Sequence, residues 1–242
     1  GGLEGKPVKV LIAAPLRQEI KIFREYQDGL DRLIIPEGVS VDRFFVVNDC
    51  PEVIPLIRDA DWIENNSENV TMYENHVWDN VLVSKMSVMR NQTIQRALEG
   101  GYDYLLSVDT DLVLEPHTLD VLLGTGKDIC AGLFWTNGWS NAWKYDQADG
   151  YDPEWVKPGT YKVGGTGALI LISRKVLEAG VDYTPIPNLR KAVFGEDRHF
   201  CIRAVCNGFE IWADSHCLPV HLYKAPDYRN YMAGEMKTCF RT

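Results

Sequence analysis

The sequence predicts an α/β domain in which a mostly parallel β-sheet is flanked by helices. Apolar, β-branched runs alternate with longer charged segments whose apolar residues recur at helical spacing. Several of these runs end in polar or acidic residues, as strands do at the ligand-binding edge of a parallel sheet. The 242 residues, 45% of them hydrophobic, supply enough apolar material for a substantial core.

The first half of the chain contains the elements of a wound sheet. Residues 8–15 form an apolar run stopped by Pro15, which is typical of a central strand buried on both faces. Gly100 and Gly101 follow a helical pattern and suit its C-terminal cap. In order, the patterns predict a helix over residues 18–33, a strand over 42–49, a polar loop over 61–68, a short strand over 70–73 and a helix over 83–98.

The second half continues the alternation and adds a long loop. The patterns predict a strand over residues 104–108, a helix over 116–123, a strand over 128–135, a loop over 136–162, a glycine-rich turn and strand over 163–173, a helix within 194–208, and strands over 210–214 and 218–222. The turn fits neither a P-loop nor a dinucleotide-binding pattern. Trp139, Trp143 and Trp155 in the loop suit either stacking on a sugar ring or a small local core.

Two aspartates, Asp109 and Asp111, follow the apolar strand over 104–108. Because strand side chains alternate between faces, we expect both carboxylates on the same side if the strand continues that far. Carboxylates this close repel each other unless a cation or hydrogen-bond donors compensate. The pair therefore indicates either a divalent-metal site at the carboxyl end of the strand or a polar turn in which one aspartate caps the next helix.

Arg90 falls within the apolar row of the predicted helix over 83–98, in register with Val83, Met86, Ile94 and Ala97. An arginine that faces inward needs an anionic partner, because burying an unpaired charge is costly. The spacing therefore predicts either a contact with an anionic ligand or a structural ion pair with one of the nearby aspartates.

Two later residues carry potential chemistry. Asp197 shares a helix face with Phe200 and Ala204, so we expect it to point inward at the start of the helix. A helix N-terminus stabilises an ionised carboxylate, which a general base requires; simple charge complementarity would suit Glu196 better. His221 ends an apolar run, and by itself it is more typical of a hydrogen-bonded core histidine than of a metal ligand.

The charge and composition argue against some binding partners and some cellular locations. A net charge of −9 and a pI near 5.1 argue against binding to nucleic acid or to an anionic membrane surface. No apolar run approaches the roughly 18 residues of a transmembrane helix, and the N-terminus lacks signal-peptide features. Six cysteines without C-x-x-C spacing argue against a zinc module. We expect buried thiols in a cytoplasmic protein, peripheral to a membrane or free of it; the alternative is a soluble fragment of a luminal enzyme with a Cys217–Cys239 pair.

In combination, these segments resemble the glycosyltransferases of the GT-A fold, most closely those like family 2. The resemblance rests on Met89-Arg90-Asn91, on the approach from Gly100 to Asp111, on residues 196–204 followed by Gly208-Phe209-Glu210-Ile211, and on Val220-His221. It spans most of the chain in the same order and spacing. Two departures are Met89 in place of the usual alanine, and Asn48-Asp49-Cys50 in place of the more common paired aspartates.

The resemblance implies a single GT-A domain, a Rossmann-like nucleotide-diphospho-sugar transferase fold, over residues 1–242. Its nucleotide-binding half would cover about 7–135 and its acceptor-binding half about 136–225, with a tail over 226–242. It implies transfer of a sugar from a UDP- or GDP-sugar to a carbohydrate or glycoconjugate hydroxyl, with inversion, in polysaccharide or glycoconjugate biosynthesis.

The same resemblance implies roles for particular residues. Asp197 would be the catalytic base, assisted by Glu196. Asp109, Asp111 and His221 would hold Mn²⁺ or Mg²⁺, with Asp111 as the direct ligand, Asp109 orienting the donor sugar or ribose, and the imidazole favouring Mn²⁺. Residues implied to bind the donor are Pro15, Arg17, Asp49, Arg90, Asp109, Thr110, Gly165, Thr166 and Gly167.

Two alternatives to this enzyme remain open. The first is a catalytically inactive protein of the same fold that binds nucleotide-sugars. The second is a nucleotidyltransferase, which also carries strand-end carboxylates but usually has a glycine-rich, lysine-bearing loop after its first strand. Residues 15–19, Pro-Leu-Arg-Gln-Glu, do not provide such a loop.

Overall fold

The computed structural model describes residues 5–65, 80–144, 150 and 152–235. Its strands, in chain order, are β1 (Val8–Leu16), β2 (Val39–Val47), β3 (Asp61–Glu64), β4 (Tyr104–Val108), β5 (Leu112–Val113), β6 (Ile129–Gly132), β7 (Trp135–Thr136), β8 (Trp139–Ser140), β9 (Ala142–Trp143), β10 (Thr160–Val163), β11 (Gly165–Thr166), β12 (Leu169–Ser173), β13 (Ile211–Asp214) and β14 (Val220–His221). Its α-helices are α1 (Ile20–Asp31), α2 (Asn80–Glu99), α3 (Thr118–Gly124), α4 (Arg174–Glu178), α5 (Lys191–Cys206) and α6 (Ala225–Met232), and short 3-10 helices cover Pro51–Leu56 and Pro153–Val156.

Eight strands form one mixed sheet in the order β10-β13-β6-β12-β4-β1-β2-β3. Strands β1, β2, β3 and β4 pair in parallel, as do β6 and β13. Strand β12 runs antiparallel between β4 and β6, and β10 runs antiparallel to β13. The predicted mostly parallel sheet is therefore confirmed. The reversed β12 brings the glycine-rich turn before Leu169 to the carboxyl end of β4, because Leu169 pairs with Val108.

Helices cover both faces of this sheet and create two apolar cores. Along β1, Leu11 faces one core, which includes Phe200 of α5, and Ile12 faces the other, which includes Phe23 of α1. Leu11, Ile12, Phe23 and Phe200 are all 0–1% exposed. The continuous apolar runs of the central strands reflect this burial on both faces.

Most predicted elements are confirmed. Strand β4 has the predicted bounds, α1 lies within residues 18–33, and α2 contains the predicted helix over 83–98. Gly101, with φ of 67°, follows the end of α2, where the left-handed conformation favours glycine. In α5, Gly195 adopts φ 43° and ψ 167°, which breaks the helix immediately before Glu196 and gives that residue a new helical start.

Two local predictions were wrong, and a third cannot be compared with the structure. Residues 61–68 are not all loop, because β3 adds a parallel edge strand to β2, where its polar side chains remain exposed. Pro15 does not stop β1, since the backbone N–H of Asn48 donates to Leu16 O and the ladder continues. The short strand predicted over 70–73 lies outside the described residues.

The region after β6 also differs from its prediction. The strand predicted over 128–135 ends at Gly132, because the Asn141 side chain bonds Gly132 O and the Phe134 amide and turns the chain. The loop predicted over 136–162 contains short strands. The strand predicted over 218–222 reduces to β14, which pairs with β5 outside the main sheet. The helix predicted from residue 116 begins at Thr118.

The cysteines and helices bear on two further predictions. Cys50, Cys130, Cys201, Cys206 and Cys217 are free thiols, and all but Cys206 are buried. Cys239 lies outside the described residues, so the alternative Cys217–Cys239 pair stays a prediction. Within the described part of the chain, no helix combines the length and apolar character needed to span a membrane.

Tyr26 of α1 fixes the end of β4 from one face of the sheet. Its hydroxyl donates to Val108 O over 3.0 Å, and its side chain is fully buried. Tyr26→Phe leaves this buried carbonyl without its donor, which should cost about 1–3 kcal/mol in the free energy of unfolding. Urea denaturation measures the loss. Tyr231→Phe, on the half-buried face of α6, is the control and should change stability by less than about 0.5 kcal/mol; equal effects of both substitutions would contradict this role of the hydroxyl.

Candidate active site

The carboxyl end of β4 and the turn before β12 form the centre of the candidate site. Strand β4 ends at Val108, and the next backbone amide, that of Asp109, donates to Ala168 O over 2.9 Å. Ala168 has φ of 69°, an uncommon conformation for a residue other than glycine. Such strained positions concentrate at functional sites. Asp109 and the turn at Ala168 are therefore held together by the backbone itself.

The side chain of Arg90, a residue of α2, lies beneath this centre and faces α5. The guanidinium donates to Asp109 Oδ1 at 3.0 Å from Nη2, to Glu196 Oε1 at 3.1 Å from Nε, and to Ser107 Oγ at 3.4 Å from Nη1. Arg90 is 3% exposed, so the inward-facing arginine predicted from the spacing is confirmed. Its anionic partners are the carboxylates of Asp109 and Glu196, which explains why a charge is tolerated at this depth.

Asp109 is thus oriented by Arg90. Burial raises the pKa of Asp109, the Arg90 guanidinium opposes that rise, and the nearby Asp111 carboxylate adds to it. Since β4 ends at Val108, the alternation of strand side chains does not extend to the two aspartates, and they take different partners. Neither caps α3, whose N-cap residue is His117, so the polar-turn alternative was wrong in that respect.

The neighbouring carboxylates of Glu196 and Asp197 have different surroundings. Glu196 is 2% exposed and pairs with Arg90, whereas Asp197 is only partly buried. The Asp197 carboxylate rests against Gly167 and occupies the space that a Cβ would need there. Burial raises the pKa of Asp197 well above its usual range, and the neighbouring Glu196 raises it further. This environment favours a carboxylate that accepts a proton readily.

Asp197 faces a cavity of about 440 Å³ in front of the β11–β12 turn. Trp139 and Trp143 contribute to its wall, together with Asn141 and Arg198. The guanidinium of Arg198 lies 4.4 Å from the centre of the Trp143 ring, and Trp139 is 65% exposed. Aromatic side chains beside a carboxylate suit the apolar face and the hydroxyl groups of a sugar. Trp143, at 9% exposed, and Trp155, at 4%, also belong to the buried core, as the second interpretation of the loop tryptophans predicts.

Asp111 and His221 form the other half of the site. His221 Nε2 lies 2.9 Å from Asp111 Oδ2, and its Nδ1 lies 2.6 Å from Thr136 Oγ1. The imidazole packs edge-on against Phe134, with ring centres 5.0 Å apart. It also contacts the tilted ring of Tyr223, with ring centres 5.2 Å apart. Burial lowers the pKa of His221, but the carboxylate of Asp111 outweighs this effect and the net shift is upward.

The donor atoms present can be tested against the implied Mn²⁺ or Mg²⁺. Neighbouring corners of an octahedron with bonds of 2.0–2.1 Å are about 3 Å apart, and the 2.9 Å between Asp111 Oδ2 and His221 Nε2 fits that spacing. Within the described residues, no group of three or more His, Cys, Asp or Glu side chains is arranged to hold a metal ion. Asp109 pairs with Arg90 instead. The pair therefore fits a cation whose other ligands come from a bound ligand or water.

Three of the residues implied to bind the donor, Pro15, Arg17 and Asp49, lie at or near the ends of the neighbouring strands β1 and β2. Ala13 pairs with Ser107, so Pro15 reaches the level of Asp109 along the sheet edge. Arg17 follows β1, and the exposed Asp49 follows β2 with φ of 47°. Pro15 itself is buried in the ladder opposite Val46. The structure thus places these three residues along the edge that carries Asp109.

The other implied donor-binding residues are less accessible. Thr110 is 7% exposed, and Thr166, at 1%, donates from its hydroxyl to Asn141 O. Gly165 packs against the indole of Trp143, where a Cβ would clash. Of the three residues in the glycine-rich turn, Gly167 is the one that lines the cavity.

Sequence reasoning missed three supporting residues. Asn141 donates to Gly132 O at 2.9 Å and Gly167 O at 3.0 Å, and it accepts from the Phe134 amide at 2.9 Å. Tyr183 packs beside the Arg90 guanidinium at 5.7 Å, and Thr136 contacts His221. Asn141 and Thr136 lie in the segment that sequence patterns assign to loop, where spacing carries no information on partners.

Comparisons with known proteins were informative for structure only. No protein-family model matches the chain, and no curated protein matches it in sequence. Solved structures that match include S. aureus TarS (TM-score 0.55, 14% identity, 86% of this chain and 35% of that chain) and its residues 1–349 in complex with UDP (0.53, 14%, 86% and 58%). Another is the mannosyltransferase PcManGT from Pyrobaculum calidifontis with GDP-Man and Mn²⁺ (0.52, 11%, 86% and 55%).

These likenesses show the fold. The chain has a GT-A-like α/β fold, as the sequence resemblance implies. It spans between 35% and 58% of the length of these three chains, so it corresponds to a part of each of them.

Arg90→Met removes the charge that joins α2 to Asp109 after β4 and to Glu196 of α5. Asp109 and Glu196 lose their partner, so we expect a loss of about 3–5 kcal/mol in unfolding free energy. Arg90 lowers the pKa of Asp109 and of Asp197, so its removal raises both pKa values further above those of the unfolded chain. The folded variant then holds more protons than the unfolded one, and its stability falls as pH rises above about 4.

Urea denaturation at pH 5 and pH 8 checks this expectation. The deficit of Arg90→Met relative to the unmodified protein should be larger at pH 8. Arg96→Met on the same helix removes an exposed ion pair with Asp61 and should cost at most about 1 kcal/mol at either pH. A deficit of Arg90→Met that is independent of pH would show that the carboxylates do not depend on Arg90.

Proposed function

We propose that this chain is a metal-dependent glycosyltransferase that moves a sugar from a nucleoside-diphosphate-sugar to an acceptor hydroxyl. The observation that carries this proposal is the placing of Asp197. Its carboxylate lies in a cavity with tryptophan walls and rests on Gly167, beside the backbone link between Ala168 and Asp109. Asp197 could thus accept the proton of a sugar hydroxyl close to Asp109 and Asp111, the strand-end carboxylates that we propose to face the nucleotide-sugar donor.

Asp111 and His221 would hold Mn²⁺ or Mg²⁺ on the donor side. When bound, the cation offsets the negative charge that develops on the departing diphosphate. Asp109 is fixed through Oδ1 by Arg90, so it suits a hydroxyl of the ribose or of the donor sugar better than the cation.

Asp197 would act as the general base on the acceptor side. The acceptor oxygen forms a bond to the anomeric carbon while the bond from that carbon to the diphosphate oxygen breaks, and the hydroxyl proton passes to Asp197. Attack opposite the leaving group inverts the anomeric centre. Glu196 contributes by holding Arg90 and by raising the pKa of Asp197, which makes Asp197 a stronger base.

The donor and acceptor follow in outline from the site. Arg17, Asp49 and Pro15 would contact the nucleoside, and Thr110, Gly165 and Thr166 would shape the donor side. The cavity, which Gly167 lines, would take the acceptor. UDP- and GDP-sugars are the donors to test first, because UDP and GDP-Man accompany two structures with this fold. A carbohydrate or glycoconjugate acceptor places the reaction in polysaccharide or glycoconjugate biosynthesis.

Two aspartate substitutions separate donor binding from transfer. Asp111→Asn should abolish the increase in melting temperature that Mn²⁺ and a UDP- or GDP-sugar produce together, because a ligand that binds only the folded state stabilises it. Asp197→Asn should retain that increase and lose at least 100-fold in transfer rate, as expected when a general base is removed. Melting curves and release of the nucleoside diphosphate measure the two effects.

The outcomes distinguish the proposal from its alternatives. Asp120→Asn on the surface of α3 serves as the matched control and should leave both measurements unchanged. Transfer at the unmodified rate in Asp197→Asn would overturn the role of Asp197 as the base. Stabilisation of the unmodified protein by Mn²⁺ and a nucleotide-sugar, without any transfer, would favour a protein that binds nucleotide-sugars without catalysis. Absence of stabilisation by Mn²⁺ with any nucleotide-sugar would remove the metal-dependent donor site.

Glu196→Gln tests the electrostatic part of the mechanism. The base acts when deprotonated, so kcat/KM should rise with pH through the pKa of Asp197. Removing the Glu196 charge lowers that pKa, so the acidic limb of the pH–rate profile should move to lower pH. Glu210→Gln, an exposed carboxylate on the far end of the sheet, should leave the limb in place. An unshifted limb in Glu196→Gln would show that another group controls it.

A further inference from the structure

Thr136 contacts His221 on the side of the ring opposite to Asp111. The distance from Thr136 Oγ1 to His221 Nδ1 is 2.6 Å, and Nε2 faces Asp111 Oδ2 at 2.9 Å. For Nε2 to bind a cation its lone pair must be free, so the ring proton then lies on Nδ1 and donates to the threonine oxygen. A hydrogen bond from the second ring nitrogen commonly fixes a metal-bound histidine in this way.

The backbone that carries Thr136 is itself held in place. Thr136 is paired with Trp139 in the short β7–β8 hairpin, and Trp135 is paired with Ser140. Asn141 follows the hairpin directly and ties it to Gly132, to the Phe134 amide and to Gly167. Thr136 therefore presents its hydroxyl from a segment fixed to the main sheet and to the turn beneath Asp197.

The other neighbours of His221 cannot supply this restraint. Phe134 and Tyr223 pack against the imidazole through their rings, which limits its tilt. Asp111 approaches Nε2, the atom that a cation would occupy. Among the described contacts of His221, the Thr136 hydroxyl is the polar one that remains available to Nδ1 while Nε2 binds a cation.

We propose that Thr136 is a positioning residue of the cation site, which orients the His221 ring through Nδ1 and thereby sets the affinity for the cation. This inference rests on the proposed function for the metal itself. It extends that function to a residue in the β7–β8 hairpin, so the hairpin that walls the acceptor cavity also supports the donor side.

Thr136→Val tests the proposal, because valine keeps the shape of threonine and removes its hydroxyl. We expect Mn²⁺ affinity to fall about 10- to 100-fold, as measured by electron paramagnetic resonance titration in the presence of GDP and, in a parallel series, UDP. Thr136→Ser retains the hydroxyl and should bind Mn²⁺ within about threefold of the unmodified protein. Melting temperatures without metal show whether each variant is folded.

His221→Ala makes the two proposals distinguishable. If His221→Ala loses Mn²⁺ affinity and Thr136→Val binds Mn²⁺ as tightly as the unmodified protein, the role of Thr136 is overturned while the metal site stands. If the unmodified protein binds no Mn²⁺ with either nucleotide, the proposed metal site fails, and with it the effect of Thr136 on affinity.

A metal-free measurement tests the orienting contact in every case. Nitrogen-15 NMR of labelled histidines, with His221 assigned by its loss in His221→Gln, reports the state of both ring nitrogens. We expect the His221 Nδ1 signal to change in Thr136→Val and to be retained in Thr136→Ser. Identical His221 spectra in the unmodified protein and Thr136→Val would overturn the proposal.

Discussion

The buried guanidinium of Arg90 is the interaction on which the site depends. Desolvating that charge costs several kcal/mol, and the contacts with Asp109 and Glu196 offset it only while β4, α2 and α5 keep their mutual positions. The same contacts hold the carboxylates of Asp109 and Glu196 near Asp197. Tyr183 completes the arrangement by packing beside the guanidinium and stacking on Phe200 at 4.6 Å. Core packing and site electrostatics are therefore parts of one network.

The functional side chains at the sheet edge around this network fall into two groups. Asp111 and His221 lie on the side that β14 and β5 bring together, where we propose that a cation and a diphosphate bind. Asp197 lies on the other side, against Gly167 and below the tryptophan-lined cavity. The segment from Trp135 to Asn141 contacts both sides, through Thr136 and through the bond from Asn141 to Gly167 O. One short hairpin thus spans the proposed donor and acceptor regions.

Asp109 and Asp111 illustrate how far sequence reasoning extends. The prediction of strand-end carboxylates near a divalent cation used only the apolar run and the spacing of the pair. The structure separates their surroundings, because β4 ends at Val108 and the following turn directs Asp109 to Arg90 and Asp111 to His221. Similarly, the inward row of α2 predicted an anionic partner for Arg90, but Glu196 is 106 residues away in sequence and no local pattern indicates it.

By itself, the sequence determined the alternation of strands and helices, the mostly parallel sheet, the inward Arg90 and the acidic strand end, because these follow from periodicities of two and 3.6 residues and from the cost of burying charge. The tertiary structure alone decided that β12 runs antiparallel beside β4, that Glu196 is the buried partner while Asp197 faces the cavity, and that Thr136 and Asn141 support the site. Those features depend on contacts between segments that are distant in sequence. Strand pairing and side-chain packing form these contacts as the chain folds, so local sequence patterns do not specify them.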